Sequence, residues 1–515
     1  MRILVVSPEA GNWLVPSPLT TAVNRLADAF AQAGVNVVTC SPFYKNHLQN
    51  PENYKCVFRG TERLQGKVYE IWKSETDPLH TYIYNEEYFG RPYVYGPPKD
   101  VPYGDNHLRF AFLASACLSY AIESKTEFQA ILGHEWGGAL AGALAHNTYK
   151  EEFGDVPFFF TVHNITYDFH VRSEEIEKIG LPRERYNMDG YEFWGKVSLL
   201  KAGICFAEKV LFPSPGYRDA MLNTNLPGGL SGFLNHNADK LIGVQFGVSY
   251  RVWDFNREEQ LPIKEAKHRA RLALQEQLHV DFGSKLVLYV HLDEEAGNTS
   301  ETLATILADI TKQDVFIVVG ISPEDPEWNF YQDVSKQYPD IMHVMPIDRE
   351  TENVRPLKEV LAGSDILFAA NLREPSTSII LKALACGTLP LTGFNVGVAT
   401  MLDDYTPETA GRANAFLVED ANAPHQMLRR LKDAFHVYKN EVADWDKAVV
   451  NAYSGFHYEW ARTISKYLLI LGELEEQGTN GGPGGSRIGK HRKDGVPLQH
   501  EPRNKNSDEC HHWPG

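Results

Sequence analysis

The chain has 515 residues, 43% hydrophobic and 23% charged, with a formal charge of −17 at pH 7. That balance fits a folded globular protein of more than one domain, and it argues against nucleic acid as a partner, because such binding needs a basic footprint. A neutral polysaccharide is compatible with it; an anionic nucleotide is a partner only where local cations overcome the field.

The first residues, MRILVVSPEA, predict a strand and lack the long apolar core and small-residue cleavage site of a signal peptide. No apolar run is long enough to span a bilayer, so no membrane partner is expected. Helix periodicity follows in LTTAVNRLADAFAQAG, with a glycine stop at Gly34, and NVVTCSP is the second strand. Between strand and helix lies GNWLVPSPLTT. In a doubly wound nucleotide-binding fold this loop is where glycines and a cation meet a phosphate. Here it carries Pro16 and Pro18, which have no amide proton to give.

The alternation continues through FQAILGHEW, PFFFTVHNI and KVLFPSP, short apolar runs that end in polar residues. That is the pattern of parallel strands buried on both faces, with function at their carboxyl ends. It restarts between residues 250 and 285, and KLVLYVHLD, DVFIVVGIS, IMHVMPI, DILFAAN and TLPLTGF predict a second parallel sheet. Two doubly wound domains facing a cleft are expected. From Gly478 onward Gly, Pro and charge dominate, which predicts a disordered tail over 478–515. Cys510, His511 and His512 lie in it, and no metal site is expected there because nothing would hold the ligands in place. The six cysteines, Cys40, Cys56, Cys117, Cys205, Cys386 and Cys510, show no CxxC spacing and mostly have apolar neighbours, so reduced thiols and a cytoplasmic location are expected.

Several segments in order, YFGRPYVYG, NHLRFAF, GHEWGGAL, TVHNITY, EFWGKVSLLKAGICFAEKVLFPSPGY, IGVQFGV, LREPS and ALACGTLPL, resemble the glycogen synthase and starch synthase family. The most specific combination is TVHN followed by GKVSLLKAGICFAEKVLFPSP. The resemblance covers residues 1 to about 475 and implies a GT-B fold, in which two Rossmann-like α/β domains face a cleft, and a retaining transfer of glucose from ADP-glucose to an α-glucan without metal or cofactor. It divides the chain into an acceptor-side domain over 1–250, a nucleotide-sugar domain over 251–445, a closing helix over 446–477 and the tail.

The family's donor chemistry rests on cations, supplied by a Lys-Thr-Gly-Gly loop and by an Arg and a Lys after the first strand of the second domain. Aligned on SPE, this chain has Val15, Pro16, Ser17 and Pro18 at the first loop, and Thr21 at the family's Asp. His291 and Ala296 stand at the Arg and Lys, with Asp293, Glu294 and Glu295 between them, and Phe246 replaces an Asn. Glu374 keeps the family's acid, while Thr377 replaces a Gly and Asn395 and Val396 alter a further glycine loop. On the acceptor side the family positions Tyr95, His163 and Asn164 are retained, and Glu135-Trp136 stands for an Asp-Trp pair; Arg91 is also retained. The resemblance therefore implies Glu374 and His163 as catalytic positions and Tyr95, Glu135, Trp136 and Asn164 as substrate-binding ones.

Each has a plainer alternative. Glu374 suits a helix N-terminus for its charge alone, His163 fits a hydrogen-bonded cleft wall, and Trp136 either packs a wall or stacks on sugar. Losses cluster on the nucleotide side and retained residues on the acceptor side. The expected function is a family member with lost or strongly reduced glucosyl transfer that binds α-glucan, maltooligosaccharide or a partner protein of glucan metabolism. An active glucosyltransferase with altered donor use and a pure scaffold are the alternatives.

Overall fold

The computed structural model describes residues 1–97, 101–292, 297–347, 354–370, 378–394, 397–455 and 458–479. Ala296, Glu374, Thr377, Asn395 and Val396 lie outside the described residues, as does the expected tail from residue 480. The chain forms one compact unit over Met1–Leu471 and a second over Gly472–Gly515, in which helical backbone is described to Thr479.

Among the described residues the first half contributes twelve strands: β1 (Arg2–Val6), β2 (Asn36–Pro42), β3 (Lys55–Thr61), β4 (Val68–Lys73), β5 (His80–Tyr84), β6 (Ala130–His134), β7 (Phe158–Thr161), β8 (His170–Arg172), β9 (Glu192–Phe193), β10 (Lys196–Ser198), β11 (Lys209–Phe212) and β12 (Leu241–Gly243). Nine of them form one sheet in the order β12-β11-β7-β6-β1-β2-β5-β4-β3. From β12 through β5 neighbours are parallel, and β4 and β3 add an antiparallel edge. Residues such as Ile3, Leu4, Val5 and Val6 or Phe158, Phe159 and Phe160 are buried on both faces, as a sheet between helices requires.

The order reverses at β1. The chain leaves β1 towards β2 and β5, crosses by the buried helix Asn106–Glu123, and resumes on β1's other side with β6 and β7. The crevice beyond the carboxyl ends of β1 and β6 is thus the switch point where doubly wound folds hold ligands. The remaining strands form a small antiparallel sheet, β8-β10-β9, hung on the chain after β7.

The second half contributes β13 (Leu286–Leu292), β14 (Val315–Ile321), β15 (Met342–Pro346), β16 (Ile366–Phe368), β17 (Leu389–Gly393) and β18 (Phe416–Val418). Their order, β15-β14-β13-β16-β17-β18, is all parallel and has the same kind of reversal between β13 and β16.

Each sheet has its own apolar core, one running from Leu4 to Leu241 and the other from Val248 to Ala452. Helix Val442–Gly455 belongs to the second core through Trp445, Ala448, Val449 and Ala452, so the expected boundary at 446 falls inside it. The helix that returns to the first sheet starts later, at Trp460, and sets Tyr467 edge-on to Phe30 at 5.8 Å. Among the described residues the free cysteines Cys40, Cys117 and Cys386 are buried, Cys205 is partly buried and Cys56 is exposed. No helix among them is long and apolar enough to cross a membrane.

Candidate active site at the first switch point

The loop after β1 turns inward on itself. Gly11, at φ +101°, lies directly over the Tyr82 ring, where an added Cβ would fall 1.8 Å from the hydroxyl; only glycine fits. Asn24 of the first helix, Pro18–Gln32, clamps this residue twice, accepting from its N–H at 2.8 Å and donating to its carbonyl at 2.7 Å. Asn12 N–H reaches the Tyr82 hydroxyl at 3.2 Å, Trp13 N–H the Gly11 carbonyl at 3.0 Å and Leu14 N–H the His47 carbonyl at 2.7 Å. The Trp13 indole is buried and donates to the Ala10 carbonyl at 3.0 Å.

Ser17 caps the helix, accepting from Thr20 N–H at 3.0 Å, and Pro18 takes the first helical position, where its missing N–H is harmless. Ser17 hydroxyl donates to Glu9 Oε2 at 2.5 Å and Thr20 hydroxyl to the same oxygen at 3.4 Å. Tyr95 hydroxyl donates to the other oxygen, Oε1, at 2.6 Å. The carboxylate of Glu9 thus lies against the start of this helix, held by hydroxyls of its cap and first turn, at the end where negative charge is favoured. Val15 is 47% exposed, Pro16 is partly buried, and Thr21 stands exposed on the first turn with its N–H on the Ser17 carbonyl at 2.9 Å.

The loop after β6 is different. Glu135 follows β6 directly with φ +54°, a left-handed conformation that a glutamate adopts at an energetic cost. It is buried, and its Oε1 accepts from the N–H groups of His163 at 2.6 Å and Asn164 at 2.8 Å. Its Oε2 is buried without a hydrogen-bond partner. Burial pushes the carboxyl up to about 8, the two backbone bonds offsetting only part of the shift.

His163, just beyond β7, shares a hydrogen bond with His134 at the end of β6, Nε2 to Nδ1 at 2.8 Å. Its ring keeps some surface but is closed in by His134 and by Phe246 at 5.5 Å, and burial pushes its pKa down to about 3. His134 is wholly buried and lies well below the usual imidazole range for the same reason, with His163 adding to the effect. The pair is neutral, so one ring donates and the other accepts. Phe246 in turn packs on Trp460 at 5.3 Å.

Tyr95 packs on Trp136 at 5.5 Å, and burial followed by the Glu9 charge holds its phenol well above the usual range. Trp136 is only 9% exposed, with one face stacked on Phe169 at 5.0 Å and Phe110 edge-on at 5.0 Å. The side chain of Asn164 turns into its own loop and accepts from Thr166 N–H at 3.0 Å and hydroxyl at 2.7 Å. Arg91 is bidentate to Asp105 at 2.7 and 2.6 Å. In the second half, His291 is the last residue but one of β13, with Nδ1 on the Tyr289 hydroxyl at 2.8 Å.

The fold thus gathers Tyr95, Glu135, Trp136, His163, Asn164 and Phe246 at one place, together with two residues that sequence reasoning missed, Glu9 and His134. Glu9 stands in the SPE segment, with Ser17 and Thr20 spaced as a helix cap; His134 immediately precedes Glu135 at the strand end. Among the described residues no group of three or more His, Cys, Asp or Glu is arranged to hold a metal ion.

Residues 2–236 match the family described as the starch synthase catalytic domain. The glycogen synthase of Pseudothermotoga lettingae is 25% identical over 498 residues, 92% of this chain and 99% of that protein. The glycogen synthase of Desulfatibacillum aliphaticivorans is 26% identical over 497 residues, 92% of this chain and 98% of that protein. Among solved structures, the catalytic domain of starch synthase IV from Arabidopsis thaliana, bound to ADP and acarbose, superposes with a TM-score of 0.75 at 19% identity over 92% of this chain and 99% of that one. A sucrose-phosphate synthase from Thermosynechococcus elongatus gives 0.54 at 16% identity, over 93% and 99%. With two largely parallel Rossmann-like sheets, the chain has the GT-B fold; its first 236 residues match the starch synthase catalytic domain family, and along nearly its whole length it is similar to glycogen synthases.

Proposed function

We propose that this family member has lost most or all glucosyl transfer from ADP-glucose and acts by holding an α-glucan at the acceptor side of the first domain. The observation that carries the reading is the occupied helix start. Glu9 is bonded to Ser17 and Thr20 there, Gly11, Asn12, Trp13 and Leu14 amides have partners inside the fold, and Pro16 and Pro18 have no N–H. A pyrophosphate arriving at this loop meets a carboxylate instead of a cation. Each cation absent from such a site forfeits about 4 kcal/mol of gross attraction at short range and intermediate dielectric. Removing one preorganised donor from a reacting charge slows catalysis by roughly two to three orders of magnitude. Val15, His291 and Ala296 stand where three cations are expected, and Thr377 fills a glycine position beside Glu374.

The acceptor side keeps polar groups suited to sugar hydroxyls. Glu135 Oε2 is unpartnered within the protein, and Tyr95 and His163 flank the same crevice. Trp136 enters this proposal as a wall that holds Tyr95, since its faces are covered by Phe169 and Phe110. Its burial also favours the scaffold reading, in which the crevice binds no sugar.

Two titrations test these readings. Calorimetry with ADP should give no saturable heat at micromolar concentration; tight binding, or incorporation from any donor in a panel of nucleotide-glucoses, would sink the loss of donor use. Maltoheptaose should bind in the millimolar to high micromolar range, about −4 to −6 kcal/mol. A flat maltoheptaose titration would leave the scaffold.

A further inference from the structure

The small sheet after β7 presents an indole to solvent at a backbone position that resists one. β9 and β10 pair through Phe193 with Lys196 and Glu192 with Val197, so Trp194 and Gly195 form a two-residue turn. Both have positive φ, +51° and +76°. Such turns select Asn-Gly or Gly-Gly, because any larger side chain is strained there. Trp194 bears this strain and is 82% exposed, so the folded chain gains almost no burial from its largest side chain in return.

The turn is held firmly. Glu192 Oε1 accepts from Gly195 N–H at 2.7 Å, and Lys201, only 4% exposed, donates to the Glu192 carbonyl at 2.6 Å and the Met188 carbonyl at 2.8 Å. Phe193, which meets the indole edge-on at 6.3 Å, is stacked on His170 at 5.1 Å. Gly229 lies against the other edge: a Cβ there would approach Phe193 Cζ to 3.0 Å and Trp194 Nε1 to 3.2 Å. The sheet is continuous with the crevice. Asp168 binds it through Ser198 hydroxyl at 2.5 Å and His170 at 3.0 Å, and the next residue, Phe169, is the ring stacked on Trp136.

We infer that Trp194 is a second, surface contact for the α-glucan held at the crevice, its ring stacking on a sugar face. This rests on the glucan-binding reading above. A rigid aromatic platform with His170, Glu192 and Lys196 at its border offers the apolar face and hydrogen-bonding rim that a neutral sugar needs. Its rim carries one acid and one base, Glu192 and Lys196, which suits a neutral partner better than a strongly charged one. One indole on a narrow hairpin tip is far less apolar area than a stable protein interface buries. A polymer long enough to touch both places gains affinity by being held twice.

The test uses the full chain, glycogen and maltoheptaose, with Trp194→Asn as the main variant. Asparagine is the residue this turn favours, so the melting temperature should stay or rise while the ring is lost. Affinity electrophoresis in glycogen gels should show binding weakened by about three- to ten-fold, as expected for one lost stacking contact. Gly229→Ala, which crowds the indole without demanding an unusual backbone, should weaken it less. Glycogen binding unchanged in Trp194→Asn but lost in Glu135→Gln would overturn the inference and leave the crevice reading standing. Absence of all glucan binding in the unmodified protein would remove both. A dimer in sedimentation that Trp194→Asn converts to monomer would overturn it in favour of contact between two copies of this chain.

Discussion

The loops after β1 and β6 lie side by side in the sheet and have opposite polar economies. After β1, the carboxylate of Glu9, the cap at Ser17 and the amides from Gly11 to Leu14 all find partners within the fold. After β6, Glu135 adopts a strained backbone and leaves Oε2 unpartnered, and Nε2 of the neighbouring His134 is also unpartnered and buried. A satisfied loop has no free energy to offer a ligand, whereas a buried orphan atom gains from one. One sheet thus carries, on neighbouring strands, a loop whose polar groups are satisfied and a loop whose polar groups are not.

The largest effect is expected where the two loops share a wall. Trp136→Ala should cost about 3 to 5 kcal/mol in urea unfolding, the range for deleting a buried Trp ring. A loss below about 1 kcal/mol would show that the ring serves the crevice surface instead.

Next comes the pH dependence of Glu135. Its folded pKa is raised from 4.5 to about 8, so the native state holds the proton more tightly than the unfolded chain. Its contribution is full below pH 4.5 and is lost as pH rises towards about 8, on the order of a few kcal/mol. Glu135→Gln should flatten this alkaline limb. His163 acts oppositely: with its pKa lowered from 6.5 to about 3, stability is full above pH 6.5 and falls as the pH drops towards about 3. His163→Gln should flatten the acid limb alone. Melting temperatures from pH 4 to 9 check both, and identical profiles in the two variants would mean that neither group carries the titration.

Glu9→Gln is expected to lose about 1 to 2 kcal/mol, the worth of a charged cap on a helix start. It should not create ADP binding, because Pro16 and Pro18 still lack amide protons. ADP binding in this variant would identify Glu9 itself as the barrier. The smallest effect belongs to Val15→Lys, His291→Arg and Ala296→Lys combined, which should leave glucan synthesis from ADP-glucose at background. Robust synthesis in that variant would mean that cations alone are what the donor side needs.

Apolar runs such as RILVV, FFFT, LVLYVHL and VFIVVGI were legible as strands because both faces are buried, and Gly34 ends its helix at φ +80° as its position predicts. The antiparallel edge β3-β4 and the sheet β8-β10-β9 were not legible. Their strands are short or half exposed, so apolar periodicity is weak. Residue types at the candidate site were legible through spacing, but their pairing was not. Tyr95 meets Glu9 across 86 positions, and the His134–His163 bond spans 29, distances over which only the folded sheet brings groups together.

The returning helix has a consequence for how the protein is made. Val248 N–H bonds the Tyr458 carbonyl at 2.9 Å, Thr463 hydroxyl the Gln245 carbonyl at 2.8 Å, and Tyr467 covers Phe30 of the first helix. The face around Phe30 is translated early and meets its cover more than four hundred residues later. On the ribosome the first domain therefore completes its packing only after the second has emerged, and a nascent chain stopped near residue 250 carries an open apolar face that invites chaperones or self-association.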